Sequence, residues 1–221
     1  MDNHLIRFQK KKFLFIDFET FNVCLSDKFN LPWQVATILI ERVEGENGKL
    51  ENKELSRSDF YLKWDTDLKI SKEAKNITGY SETRFKERCV PEEEVFESIY
   101  QLVENCDYII GHNVLGFDIY LLRNWYKKHG KNYDGLPYKV LDTFAMAKSV
   151  GLNYGYKSAE CDLLEFQLKM INIRKKGLRT SLGALGKSYD IKHDKSKLHD
   201  ALADLELNVK VWEELKYQID F

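Results

Sequence analysis

Two carboxylates stand two residues apart at the end of the apolar run FLFIDFE, residues 13–19. Side chains two apart in a strand share a face, which sets Asp17 and Glu19 side by side with Cα atoms roughly 6–7 Å apart. Two such charges repel unless a cation or a proton sits between them, so the pair is a candidate metal site. A strand end running out into solvent gives the same D-x-E pattern, and alone the pattern does not choose between the two. Asp118 is more telling. On a helix it has Val114 and Leu115 at i−4 and i−3, and Leu121, Leu122 and Trp125 at i+3, i+4 and i+7. A carboxylate inside an apolar stripe is costly unless something compensates it, whether a ligand, an arginine or a set of backbone amides. Gly111-His112-Asn113 precede it where a strand gives way to a helix, a common location for functional groups.

The last candidates cluster near the C-terminal end of the sequence. Asp204 falls in a helical pattern whose buried side is marked by Leu202, Leu205, Val209 and Trp212. Asp200 competes with it. At 100° per residue Asp204 lies ~40° nearer the centre of the apolar arc, whereas Asp200 is better placed as the helix N-cap. His199 is five residues before Asp204, ~140° away on a continuous helix, so the two converge only if His199 sits at or before the helix start. An imidazole beside a metal site suits a general base, because its ordinary pKa is near neutrality. A lone histidine at a helix start is otherwise simply solvated.

The elements that must position these groups follow from periodicity and turn signals. The run 13–19 reads as a buried strand, a second strand spans about 34–43, and Asn47-Gly48 turns the chain back along about 55–64. Glu92–Val103 is an amphipathic helix behind Pro91. Tyr108–Ile110 is a short strand, Val114–Lys128 a second helix, and Lys139–Leu141 a strand whose successor Asp142 caps the next helix. Residues 150–180 carry glycines at 151, 155 and 177 and a helical stretch at 163–173; this segment is the candidate insertion or substrate-facing flap. A short helix at 181–188 and a last one at about 200–216 close the chain. Strands first and alternating helices afterwards predict an α/β domain, a mixed sheet flanked by helices.

Composition bounds the rest. At 221 residues, 43% hydrophobic and 31% charged, the chain fits a single domain over 1–221. A net charge of −1 means no global basic field, so a nucleic-acid partner has to be held by a local rim or by metal ions. Cys24, Cys89, Cys106 and Cys161 show no C-x-x-C spacing and read as reduced thiols. No stretch approaches the ~20 apolar residues of a membrane span, and MDNHLIRFQKKK has no apolar signal core. The expectation is a cytoplasmic protein with no membrane partner.

IDFET (16–20), GHNVLGFD (111–118) and HDALAD (199–204) together resemble the three motifs of the DEDDh, DnaQ-like exonucleases, the family of bacterial proofreading subunits and RNase T. NITGY (76–80), VLDT (140–143) and SLGAL (181–185) agree, and the resemblance covers roughly residues 12–215. It implies an RNase H-like fold with a mixed five-stranded sheet. It also implies metal ligands at Asp17, Glu19, Asp118 and Asp204 and a general base at His199. A sister group has tyrosine four residues before the last aspartate; here that position is Asp200, which favours the histidine subtype. Two divalent cations, Mg²⁺ or Mn²⁺, about 3.5–4 Å apart, would bind the attacking water and the leaving 3′ oxygen and neutralise the phosphodiester.

The implied reaction is 3′→5′ hydrolysis of single-stranded ends to nucleoside 5′-monophosphates. DNA is the favoured substrate. RNA trimming of the RNase T or oligoribonuclease kind is the alternative, and an idle nucleic-acid-binding subunit a third reading. Phe18, Thr20 and Phe21 are expected against the terminal nucleotide, with Asn113 orienting the second motif, although Phe18 points opposite to Asp17 and is equally a core residue. Arg174, Lys175, Lys176 and Arg179, and then Lys192, His193, Lys195 and Lys197, are basic clusters that could meet the phosphate backbone or be plain solvated faces. A polymerase or repair partner and a second copy of the chain are left open.

Overall fold

The acid-ending run forms β1 (Lys12–Thr20), flanked by β2 (Pro32–Glu44) on one side and β5 (Tyr108–Gly111) on the other. This is a computed structural model, and it describes residues 10–25, 30–46, 49–66, 68–193 and 200–219. β2 runs antiparallel to β1 and to β3 (Leu50–Lys63), while β5 runs parallel to β1 and to β6 (Val140–Asp142). The β2–β3 hairpin closes with Gly45 N–H donating to Lys49 O at 2.8 Å; its Asn47-Gly48 pair lies outside the described residues. A sixth, three-residue strand, β4 (Cys89–Pro91), pairs parallel to β3 and gives the order β4-β3-β2-β1-β5-β6. The expected five strands are therefore six. Cys-Val-Pro is too short to show a period of two, and its proline suits an edge.

Alternation along β1 sorts its side chains onto two faces. Leu14, Ile16 and Phe18 join a core with α3 (Glu92–Asn105) and α4 (Asp118–Lys128), whose Val95, Phe96, Ile99, Leu122 and Trp125 are buried there. Phe13 and Phe15 pack on the opposite face, in the core that holds Met146 of α5 (Thr143–Leu152), Leu185 of α7 (Leu182–Ser188), and Leu205, Val211 and Trp212 of α8 (Ala201–Leu215). Each fully buried large apolar side chain contributes ~1.5–3 kcal/mol. The odd-numbered face is the one that Asp17 and Glu19 share. α6 (Leu163–Asn172) packs on α5, and its Gln167 covers the edge of β6, accepting from Asp142 N–H at 2.7 Å and donating to Val140 O at 2.9 Å. An edge strand's unpaired groups are thereby satisfied by a side chain.

Three further features depart from the sequence expectation. α1 (Lys72–Thr78) and α2 (Glu82–Arg88) are short helices that sequence periodicity did not mark. Each is started by a serine, Ser71 or Ser81, whose hydroxyl accepts an N–H of the first turn. The helix expected from Val114 begins at Asp118, because residues 113–117 form a turn. Asn113 has φ +66°, Gly116 N–H donates to Asn113 O at 2.9 Å, and Ile119 N–H reaches back to Val114 O at 2.9 Å.

That turn is held by Asp142. Its carboxylate accepts from Asn113 N–H and Leu115 N–H at 3.0 Å each. It also caps α5 by accepting from Phe144 N–H at 2.9 Å and Ala145 N–H at 3.2 Å. Asp142 is fully buried, so Asp142→Ala leaves four buried donors with no acceptor. Urea unfolding is expected to show a loss on the order of 3–4 kcal/mol; a loss below about 1 kcal/mol would contradict this bracing role.

Candidate active site

Asp17 and Glu19 project from the C-terminal half of β1, and the strand loses its regular register with β2 between Glu19 and Thr20. Such irregularities bend a strand and re-aim the residues beyond them, and they recur beside active sites. The residue facing Asp17 across the β1–β2 pair is Ala36, whose methyl leaves room for the carboxylate. Asp118 arrives from the other side of the strand. It is the first residue of α4, is only 4% exposed, and its Oδ1 accepts the Phe18 N–H at 3.1 Å. Phe18 thus has two separate roles. Its ring is core, set edge-on to Trp125 with centroids 6.3 Å apart, and its amide fixes Asp118 between the positions of Asp17 and Glu19.

Asp204 lies in the first turn of α8, the helix that packs against the odd-numbered face of β1. A helix N-terminus favours a carboxylate through its exposed amides and dipole. Asp200 is the N-cap, its Oδ1 accepting from Ala203 N–H at 3.2 Å. His199 lies outside the described residues, as do Lys195 and Lys197 of the second basic cluster.

The electrostatics show that the four acids have been brought together. Burial and then the charges of Asp118, Glu19, Asp204 and Asp200 push the Asp17 carboxyl well above the ordinary range. Burial followed by Asp204, Asp118 and Asp200 raises Glu19 to about 9. Burial raises Asp118 to about 8, opposed by the Phe18 amide and its own. No arginine or lysine is among the principal influences on these three carboxyls.

The donor set fits a divalent cation: hard carboxylate oxygens from three separate elements, carrying a repulsion that positive charge would relieve. Among the described residues, however, no three His, Cys, Asp or Glu side chains are already gathered tightly enough to hold a metal ion. Binding would have to draw the carboxylates inward.

The expected substrate contacts divide. Thr20 is buried, with its hydroxyl donating to Asn22 O. Phe21 is packed by Tyr80 and Phe85 and also lines a groove of about 440 Å³ with Lys63, Trp64 and Lys86. Asn113 acts through its backbone, as the left-handed residue that starts the Asp118 turn. What sequence reasoning missed is the second half of Asp142's role. Its bonds to Asn113 and Leu115 span 29 and 27 residues, and no local capping rule foresees a contact that distant.

Residues 14–212 match the family model described as exonuclease, of the RNase T type. The chain belongs to this exonuclease family, the DnaQ-like group that its three motifs resemble. No curated protein matches it. Solved structures of exonuclease I share the fold. One that bears on how processivity is achieved is 20% identical, with a TM-score of 0.67 over 95% of this chain and 41% of that one. E. coli exonuclease I with a dT13 oligonucleotide is 19% identical, TM-score 0.66, over 95% and 42%. The zinc-bound E. coli exonuclease I–single-stranded DNA complex is 20% identical, TM-score 0.68, over 95% and 41%. The chain therefore spans about two fifths of the exonuclease I chains it matches. At these identities the likeness is one of fold, an RNase H-like sheet with helices on both faces. Among the described residues no helix is long and apolar enough to cross a membrane.

Raised carboxyl pKa values carry a consequence for stability. The folded protein holds protons on Glu19 and Asp118 up to about pH 9 and 8, whereas the unfolded chain loses them near pH 4. Between those limits the folded state binds more protons than the unfolded one, so stability falls as pH rises. In EDTA the Tm is expected to fall from pH 5 to pH 9, and Glu19→Gln should flatten the decline. A metal-free Tm that stays level or rises across this interval would contradict the crowding.

Proposed function

We propose that the chain is a divalent-metal-dependent 3′→5′ exonuclease that removes nucleoside 5′-monophosphates from single-stranded DNA ends. One observation carries the reading: three ordered motifs of an exonuclease-family chain bring Asp17, Glu19, Asp118 and Asp204 into mutual repulsion at one end of β1. Proteins seldom crowd buried acids without a task, and an anionic phosphodiester cannot approach them unaided. Asp17, Glu19, Asp118 and Asp204 would hold the cations, Mg²⁺ or Mn²⁺ being the hard ions that suit such oxygens. Two divalent cations bound there would neutralise charge building on the phosphate and acidify the attacking water.

The remaining work falls to the chain. The Phe18 amide and the Asp142-braced turn keep Asp118 in register with β1. His199 would take the proton of the attacking water. Phe21 and its groove would seat the 3′-terminal nucleotide. DNA rather than RNA is favoured because the exonuclease I structures of like fold hold dT13 and dA16 oligonucleotides.

A 5′-labelled single-stranded DNA with Mg²⁺ or Mn²⁺ should give a ladder of shortening products, absent in EDTA and in Asp17→Ala. Degradation that survives either condition would sink the reading. His199→Ala should lower kcat by about 10²–10⁴-fold and change the shape of the pH–rate profile. A pH profile identical to that of the unsubstituted protein would overturn the role given to His199.

A further inference from the structure

The first basic cluster is not a run of scattered surface lysines. Arg174, Lys175 and Lys176 line an open pocket of about 440 Å³ together with Phe144, Lys148 and Thr180, and no carboxylate lines it. Local structure explains the arrangement. Leu178 N–H donates to Lys175 O at 3.2 Å, and Gly177 has φ +86°. Lys175 and Lys176 therefore stand on a β-turn with glycine at the position that needs the left-handed region.

Both the segment leading into the turn and the turn itself are fastened to α5. Lys148 lies under the ring of Phe144, 4.3 Å from its centroid, and donates to Ile171 O at 2.7 Å and Ile173 O at 2.8 Å. Leu178 packs over Gly151, where even a methyl would meet Leu178 Cδ1 at 2.5 Å. Among the described residues none of Arg174, Lys175 and Lys176 has a carboxylate within ion-pair distance. In a chain of net charge −1, three like charges with no ion-paired carboxylate among the described residues form a local positive field whose self-repulsion an anion would relieve.

Its place in the fold says which anion. The pocket opens beside the start of α5, at the C-terminal end of β6. β1, β5 and β6 are mutually parallel, so this is the same edge of the sheet that carries Asp17 and Glu19. Phe144 also meets His112, 5.5 Å between ring centroids, and His112 directly precedes the turn that presents Asp118. Two strand spacings separate β6 from β1, ~10 Å, or about three stacked nucleotides at ~3.4 Å each.

We propose that the pocket formed by Phe144, Lys148, Arg174, Lys175 and Lys176 binds backbone phosphates of the substrate strand a few nucleotides to the 5′ side of the scissile bond. This subsite rests on the exonuclease reading and deepens it. It holds phosphate and not base edges, so it fixes the strand without reading its sequence.

The test is the salt dependence of binding. Fluorescein-labelled dT12 is titrated with the full chain in EDTA, followed by anisotropy from 50 to 200 mM NaCl. Lys175→Glu/Lys176→Glu is compared with a charge-matched control, Lys53→Glu/Lys210→Glu, whose sites are exposed and remote from the pocket. The cluster variant is expected to bind about tenfold more weakly at 50 mM salt, with a log–log slope shallower by ~0.7 for each phosphate it no longer neutralises. The control should follow the unsubstituted chain. In turnover with Mg²⁺, the rise in KM should be large on dT12 and much smaller on dT2, which is too short to reach the pocket.

A slope matching the control, or an equal KM rise on dT2 and dT12, overturns the subsite. A chain that binds dT12 in this cluster-dependent way but never shortens it would overturn the proposed activity and leave the subsite standing.

Discussion

Four carboxylates that repel one another at the end of one strand set the terms for everything around them. Asp17 and Glu19 share a face by alternation, Asp118 is tied to the strand between them by the Phe18 amide, and Asp204 comes in on the first turn of α8. Three local rules supply the four acids: the period of a strand for Asp17 and Glu19, the start of a helix for Asp118, and the dipole of a helix N-terminus for Asp204. Their combined effect is to raise one another's proton affinity, with burial as the larger cause. A site of this kind stores repulsion that a proton can relieve in part and a divalent cation can relieve more fully.

The scaffold supplies the rigidity that such crowding demands. Asp142 links β6, α5 and the turn before α4 through one buried carboxylate, and Gln167 of α6 in turn seals the edge strand that carries Asp142. The two hydrophobic cores on either face of the sheet hold α4 and α8 at fixed distances from β1. The cationic turn at 175–178 is packed on the same α5 through Leu178 over Gly151. The crowded acids at the end of β1 and the cationic turn beyond β6 thus lie at the same end of one sheet, two strands apart, which is how a chain with almost no net charge can present a strongly polarised edge.

Much of this arrangement is legible in the amino-acid sequence. The acid-ending strand, the hairpin behind it, the amphipathic α3 and the capping roles of Asp142 and Asp200 all follow from local chemistry that the folded chain keeps. The burial of Asp118 is also readable, but for an incomplete reason. Its apolar neighbours at i−4 and i−3 belong to a turn held by Asp142, not to a helix. β4 is hidden because three residues cannot display a period, and its pairing with β3 is long-range. α1 and α2 are hidden because seven-residue helices show too little amphipathic repeat, although their serine caps are present as signals. The double duty of Phe18, ring in the core and amide on Asp118, cannot be read from side-chain type at all.

Direct metal binding tests the central claim. Calorimetric titration of the chain with Mn²⁺ in two buffers of different ionisation enthalpy reports both affinity and protons released. Crowded acids with pKa values of about 8 and 9 hold protons at pH 7, so binding should expel protons there and progressively fewer as pH approaches 9. Asp118→Asn should weaken binding sharply. Saturable Mn²⁺ binding that releases no protons at pH 7 and is indifferent to Asp118→Asn would place the metal elsewhere and contradict the account.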